Sequence, residues 1–135
     1  MMYVTRREEF CASHRLHNPD WSEERNREVF DKCNNPHGHG HNYVVEVVVA
    51  GEVDPDTGYV VDLKRLKRVI REEVVERFDH KHLNYDCPEF ADLVPTAENI
   101  ARVIWVLLEE KIPAGKLHCV RLYETERNIV EYRGA

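Results

Sequence analysis

Strand-like stretches occupy both ends of the chain, and a helical repeat of apolar positions occupies its middle. Residues 2–13 read as a strand ending at His14, and Asp20-Trp21-Ser22-Glu23 has the character of a capping box that opens a short helix to about Phe30. From Asn42 to Gly51 the residues Tyr43, Val44, Val45, Val47, Val48 and Val49 make a strongly β-branched run, which predicts a long strand. Asp54-Pro55-Asp56-Thr57-Gly58 is a turn, with a short strand expected from Tyr59 to Val61. Asp62 then caps a helix whose apolar positions Leu63, Leu66, Val69, Ile70, Val74 and Phe78 recur at three- and four-residue steps, so one face is buried. Thr96 caps a second long helix, with Ile100, Ala101, Ile104, Leu107 and Leu108 inward and a stop near Pro113 and Gly115. Leu117 to Thr125 and Asn128 to Arg133 close the chain as a tight hairpin. Two strands, two helices and two strands predict an α+β fold: a four-stranded antiparallel sheet with two long helices packed on one face. Such a sheet leaves valine-rich edges open, and joining subunits into a continuous barrel would satisfy them.

Composition narrows the class. With 135 residues and 42% hydrophobic content the chain suits one compact domain spanning residues 1–135, and no apolar run is long enough to cross a membrane. Twenty-five acidic residues against nineteen basic ones give a net charge of −6, which disfavours nucleic acid and anionic lipid as partners. An anionic substrate therefore needs a local basic patch, and Arg15 and Lys32 can supply one. The four cysteines are scattered, with no Cys-x-x-Cys pair and no signal peptide, so a reduced, cytoplasmic setting is expected, with Cys11, Cys87 and Cys119 as ordinary buried thiols.

The candidate chemistry is concentrated in Lys32-Cys33-Asn34-Asn35-Pro36-His37-Gly38-His39-Gly40-His41-Asn42-Tyr43. Alternate side chains of an extended backbone share a face, so any two neighbours among His37, His39 and His41 can grip one ion. His14 is a candidate third ligand. Three histidines with an open fourth position are the donor set of a catalytic zinc, whereas Cys33 as a fourth ligand would make a closed structural site. A solvated histidine-rich loop is the plain alternative. Asp79-His80 follows the first long helix; since adjacent side chains seldom pair with each other, the expected partner of His80 is the Cys33 thiol. Glu124 can accept two parallel hydrogen bonds from the amidine-like edge of a heterocycle, and Thr96 starts a helix whose free N–H groups can face a ligand.

Phe10-Cys11-Ala12-Ser13-His14-Arg15-Leu16, Lys32-Cys33-Asn34-Asn35-Pro36 with His39-Gly40-His41-Asn42-Tyr43, Asp79-His80-Lys81, Pro95-Thr96-Ala97-Glu98-Asn99 and Tyr123-Glu124-Thr125 together resemble the 6-pyruvoyl-tetrahydropterin synthase family, with its close relative 6-carboxy-tetrahydropterin synthase. The match runs nearly end to end, so residues 1–135 read as a single tetrahydropterin synthase-like domain. The resemblance implies a tunnelling fold, in which three subunit sheets form a barrel and two trimers stack as a homo-hexamer with active sites at subunit interfaces. It implies His14, His39 and His41 as zinc ligands, Cys33 with Asp79 and His80 as a catalytic relay, and Glu124 and Thr96 at the pterin. The implied activity is a lyase reaction that converts 7,8-dihydroneopterin triphosphate to 6-pyruvoyl-tetrahydropterin with loss of triphosphate. The alternatives are 6-carboxy-tetrahydropterin synthesis for deazapurine (queuosine) formation, or a metal-binding assembly protein without turnover. The segment Asn34-Asn35-Pro36 resembles the pyruvoyl branch. Ala97, Cys11 and His82 depart from the family pattern, which has a threonine, a serine and an asparagine there.

Overall fold

The computed structural model describes residues 1–135. Its framework is a pair of thirteen-residue strands, β1 (Met2–His14) and β2 (His39–Gly51), antiparallel and in unbroken register from Met2 opposite Gly51 to His14 opposite His39. Because the side-chain period is two, this register puts Phe10 and Ala12 of β1 on the same face as Tyr43, Val45, Val47 and Val49 of β2, and all six are buried. The Phe10 and Tyr43 rings stack at 5.1 Å.

Every helix after the first contributes side chains to the core on that face. α1 (Glu23–Phe30) is capped by Ser22, whose hydroxyl accepts from the Arg25 N–H, so the cap lies two residues later than an Asp20 box would place it. Asp62 caps α2 (Leu63–Ile70), which runs through a π-helical turn, Arg71–Val75, into α3 (Glu76–Phe78). The π turn shifts the buried stripe, so Val75 is buried beside Val74 and Phe78, while Leu63 at the first position is exposed. α4 (Leu83–Asp86) is a single turn, and α5 (Ala97–Leu108) packs Ile100, Ala101, Ile104 and Leu108 into the same core.

The sheet has five strands, not four, in the order β3-β1-β2-β4-β5. β3 (Lys81–His82) pairs parallel to the end of β1, so the sheet is not wholly antiparallel. β4 (Lys116–Tyr123) and β5 (Ile129–Tyr132) form the expected hairpin. No strand forms at Tyr59–Val61: Asp54 N donates to the Tyr59 carbonyl and Gly58 N to that of Asp54, which spends this segment on closing a turn. β2 begins at His39, three residues before the β-branched run, and this extension carries two histidines into the sheet. No helix is long and apolar enough to cross a membrane.

The other face of the sheet carries a ladder of charges. Arg7, Glu46, Arg121 and Glu131 stand at directly paired positions on β1, β2, β4 and β5. Glu46 accepts from Arg7 at 2.9 Å and from Arg121 at 2.7 Å, and Arg121 also donates to Glu131 at 2.7 Å. Partial burial pushes the Glu46 carboxyl up, but the hydrogen bonds from Arg121 and Arg7 outweigh it and hold it below its ordinary 4.5. A carboxyl lowered on folding stabilises the fold above its unfolded value, and the contribution is lost as pH falls through the folded value. Glu46→Gln should therefore destabilise the protein by about 1–2 kcal/mol at pH 7. In denaturant titrations at a series of pH values, this difference should narrow below pH 4.5.

Candidate metal centre and ligand cavity

The strand pair that builds the core also builds a cluster of imidazoles. His14 and His39 are register partners, and His41 lies two residues along on the same face, directly above Tyr43. The ring centroids are 4.6 Å apart for His14 and His39, 5.1 Å for His14 and His41, and 4.9 Å for His39 and His41. Their donor nitrogens all lie within 4.8 Å of one another, with His14 Nε2 and His39 Nε2 3.0 Å apart. Four-coordinate zinc with bonds of about 2.0–2.1 Å places ligand nitrogens about 3.3–3.4 Å apart, close to this spacing.

Hydrogen bonding prepares the rings for an ion. Nδ1 of His14 lies 2.7 Å from the Pro95 carbonyl, which can only accept, so the proton sits on Nδ1 and the Nε2 lone pair faces the cluster. Burial pushes the His14 ring down to about 4, with the bond to Pro95 acting in the opposite direction, and the ring is neutral at pH 7. Burial lowers His41 as well, and its Nε2 is a buried nitrogen with no hydrogen-bond partner. A buried lone pair without a donor beside two similar ones fits a cation, and nitrogen donors of this type suit zinc, copper, iron or nickel.

His37 is not part of the cluster. It is exposed, because Gly38 turns the chain at φ +76° before β2 starts and breaks the alternation. Only glycine fits there: a Cβ would lie 2.8 Å from His82 Nε2 and 2.9 Å from the His14 carbonyl oxygen. His82, two residues past His80, is thus packed beneath the turn that leads into the ligand strand.

Cys33 lies in a 3₁₀ turn, Asp31–Asn34, and is not among the grouped donors. Its carbonyl accepts from Leu16 N at 2.8 Å, while Arg15 Nε donates to the Asn34 carbonyl at 2.9 Å, which fastens the thiol's turn to the chain just beyond His14. Burial, then the charges of Glu124 and Asp31, push the thiol above its ordinary 9.0. Of the other thiols Cys87 and Cys119 are buried as expected, but Cys11 is exposed, since its position on β1 points to the open face of the sheet.

Asp79 and His80 do pair with each other, against the expectation for neighbours. His80 has φ +60°, and this left-handed backbone brings its Nδ1 to 2.9 Å from Asp79 Oδ2. Asp79 Oδ1 accepts from Cys11 N at 2.8 Å, and His80 N donates to the Cys11 carbonyl at 2.6 Å. The bond from Cys11 and then that from His80 hold the Asp79 carboxyl below its ordinary value. No hydrogen bond joins His80 to Cys33 within the chain, and the His80 side chain is 81% exposed.

Glu124 directly follows β4, and its two carboxylate oxygens each lie 4.0 Å from a cluster nitrogen, one from His14 Nε2 and one from His41 Nε2. It shares a cavity of about 480 Å³ with Thr96, Leu16, Arg127 and Asn128, so Glu124 and Thr96 line one space. The Thr96 hydroxyl accepts from Asn99 N at 3.2 Å as the α5 cap. Tyr43 also belongs to the site: its hydroxyl is 3.3 Å from His14 Nδ1, and burial, then Glu124, push it well above the ordinary phenol range. Its position, two residues past His41 in the same alternation, was the available signal.

The family model for 6-pyruvoyl tetrahydropterin synthase matches residues 3–135. The chain is 51% identical over 131 residues to the 6-pyruvoyl tetrahydrobiopterin synthase of Homo sapiens, covering 97% of this chain and 90% of that protein. It is 48% identical over 134 residues to the Drosophila melanogaster protein of the same name, covering 98% and 79%. The structure of Caenorhabditis elegans 6-pyruvoyl tetrahydropterin synthase superposes with a TM-score of 0.95 at 40% identity, covering 99% of this chain and 96% of that one.

Three substitutions test the centre. His14→Ala should abolish stoichiometric metal binding measured by elemental analysis, whereas His37→Ala should retain it. Gly38→Ala should cost about 1–3 kcal/mol in thermal unfolding, through the left-handed backbone and the clash with His82, and should lower metal content as well.

Proposed function

The chain belongs to the 6-pyruvoyl tetrahydropterin synthase family, and from that membership we propose that it is a zinc-dependent lyase converting 7,8-dihydroneopterin triphosphate to 6-pyruvoyl-tetrahydropterin with release of triphosphate. The observation that carries this reading is the convergence of three imidazoles beside a cavity lined by Glu124, with a thiol in the neighbouring turn that is not one of the grouped donors. His14, His39 and His41 hold the ion. Zinc bound there supplies Lewis-acid stabilisation of negative charge developing on the substrate's side-chain oxygens.

The remaining work falls to the chain's own groups. Glu124 accepts two hydrogen bonds from the pterin edge and, with Thr96, holds the ring so that the side chain reaches the imidazoles. Cys33, as thiolate, takes a proton from the side-chain carbon next to the phosphorylated one, and triphosphate leaves with the C–O bonding pair. His80, oriented by Asp79, returns protons as the hydroxyl carbons become ketones. The hydrogens are redistributed within the substrate, so no nicotinamide is consumed.

A thiol raised by burial keeps its proton unless a cation stands beside it, and His80, whose ring pairs with Asp79 at 2.9 Å, faces outward from its own chain. We therefore assign His80 of a neighbouring subunit to each Cys33, in a homo-hexamer of two stacked trimers whose sheets join through the edge strands β3 and β5.

Incubation of the purified protein with 7,8-dihydroneopterin triphosphate and mass analysis of the pterin tests the reaction. A product retaining all three side-chain carbons is expected; released acetaldehyde would instead mean carboxy-tetrahydropterin synthesis, and no product would leave only a metal-binding role. Cys33→Ala should lower turnover by at least about a hundredfold, as for loss of a positioned base, with zinc content unchanged. Zinc lost from that variant would make Cys33 a ligand.

A further inference from the structure

The substrate of this proposed reaction carries a polyanionic tail, and the chain that must bind it has a net charge of −6. A cleft of about 650 Å³ lies between the end of β1, α1 and the 3₁₀ turn, and three cations line it: Arg15, Arg27 and Lys32. None of the three is in an ion pair with any carboxylate, although Glu23 and Asp31 line the same cleft.

Arg15 is the fixed member. Its backbone N–H donates to Asn84 Oδ1 at 2.8 Å, its carbonyl accepts from Asn84 Nδ2 at 2.8 Å, and its Nε donates to the Asn34 carbonyl. Both terminal guanidinium nitrogens are left without a protein partner, on a side chain that is already ordered. An arginine mounted in this way presents a planar fork suited to phosphate oxygens with little further loss of entropy. Position in the chain ties the cleft to the chemistry: Arg15 follows the ligand His14, and Lys32 precedes Cys33, so each Cα is about 3.8 Å from that of a proposed active-site residue. The other basic patch, Lys64, Lys67, Arg68 and Arg71 on and just beyond α2, has no such link, and Arg71 there already faces Glu8 at 3.8 Å.

We propose that this cleft seats the triphosphate tail of the substrate, with Arg15, Arg27 and Lys32 as its contacts. The assignment rests on the lyase reading above. It gives the leaving group a cationic berth separate from the cavity that holds the ring, so that charge is neutralised where the C–O bond breaks.

The probes are inorganic tripolyphosphate and unphosphorylated 7,8-dihydroneopterin, each measured by calorimetry on the zinc-loaded protein and as an inhibitor of turnover. Arg27→Ala with Lys32→Ala removes two exposed contacts and leaves the pinned Arg15 in place. It should weaken tripolyphosphate binding about tenfold, through loss of charge-assisted contacts, and leave dihydroneopterin binding within about twofold. Glu23→Gln should tighten tripolyphosphate about twofold by removing a facing carboxylate. Unchanged tripolyphosphate binding in the double variant, with wild-type turnover intact, would overturn the cleft and leave the lyase standing. Equal weakening of both probes would also overturn it, by pointing to damage at the centre itself. Absence of wild-type turnover with tripolyphosphate still bound would overturn the lyase reading, and with it the identity of the anion as a substrate tail.

Discussion

Everything in this molecule depends on the antiparallel register of β1 and β2. One set of alternate positions gives Phe10, Ala12, Tyr43, Val45, Val47 and Val49 to the core and then, without any change of face, His14, His39 and His41 to the imidazole cluster. A slip of one residue would expose the core and scatter the imidazoles in the same step. The energy that enforces the register comes from the apolar half of the pair, where each fully buried valine or tyrosine contributes about 1.5–3 kcal/mol relative to exposure. The site therefore inherits its precision from the core and needs little of its own.

That inheritance explains how three imidazoles, one buried and two half-buried, are held close together. His14 is 1% exposed and held uncharged, with one nitrogen satisfied by the Pro95 carbonyl from the segment leading into α5. His41 has no partner for its buried nitrogen. Left alone, this arrangement carries an unsatisfied polar group of the kind that costs about 1–3 kcal/mol. A cation bound there would remove that penalty, which would couple metal binding to consolidation of the strand ends.

How much of this could be read from the sequence follows the range of the interactions. Thr96 and Asp62 are visible because a cap is decided within four residues, and both helices begin where those caps predict. The strand from Asn42 to Gly51 is visible because its β-branched residues persist over many positions. β3 is not: two residues pairing parallel with β1 have no local pattern, and their position depends on the whole crossover before them. The missing strand at Tyr59–Val61 has a similar origin, since the competing Asp54 turn wins those backbone groups. At the site, the ligand types and their spacing are legible, but His37 cannot be separated from His39 and His41 without knowing that Gly38 turns the chain. The Asp79–His80 contact was obscured for the same reason, because it requires a left-handed residue that is not glycine.

Two features remain that a single chain does not use. His80 is held in a conformation rarely adopted by non-glycine residues, with Asp79 fixed by a backbone N–H of β1 and its own ring orienting bond in place, yet the ring faces solvent. Cys33, at the other end of the same construction, is raised by burial and by the charges of Glu124 and Asp31. Strain kept at one group and a missing charge at another are complementary defects. A second copy of the chain corrects both at once if it brings its own His80 ring to this thiol, because a nearby imidazolium lowers a thiol from about 8.5 toward neutrality. Under the proposed assignment, assembly would be part of the catalytic chemistry, because the thiol would give up its proton only where an interface supplies that imidazolium.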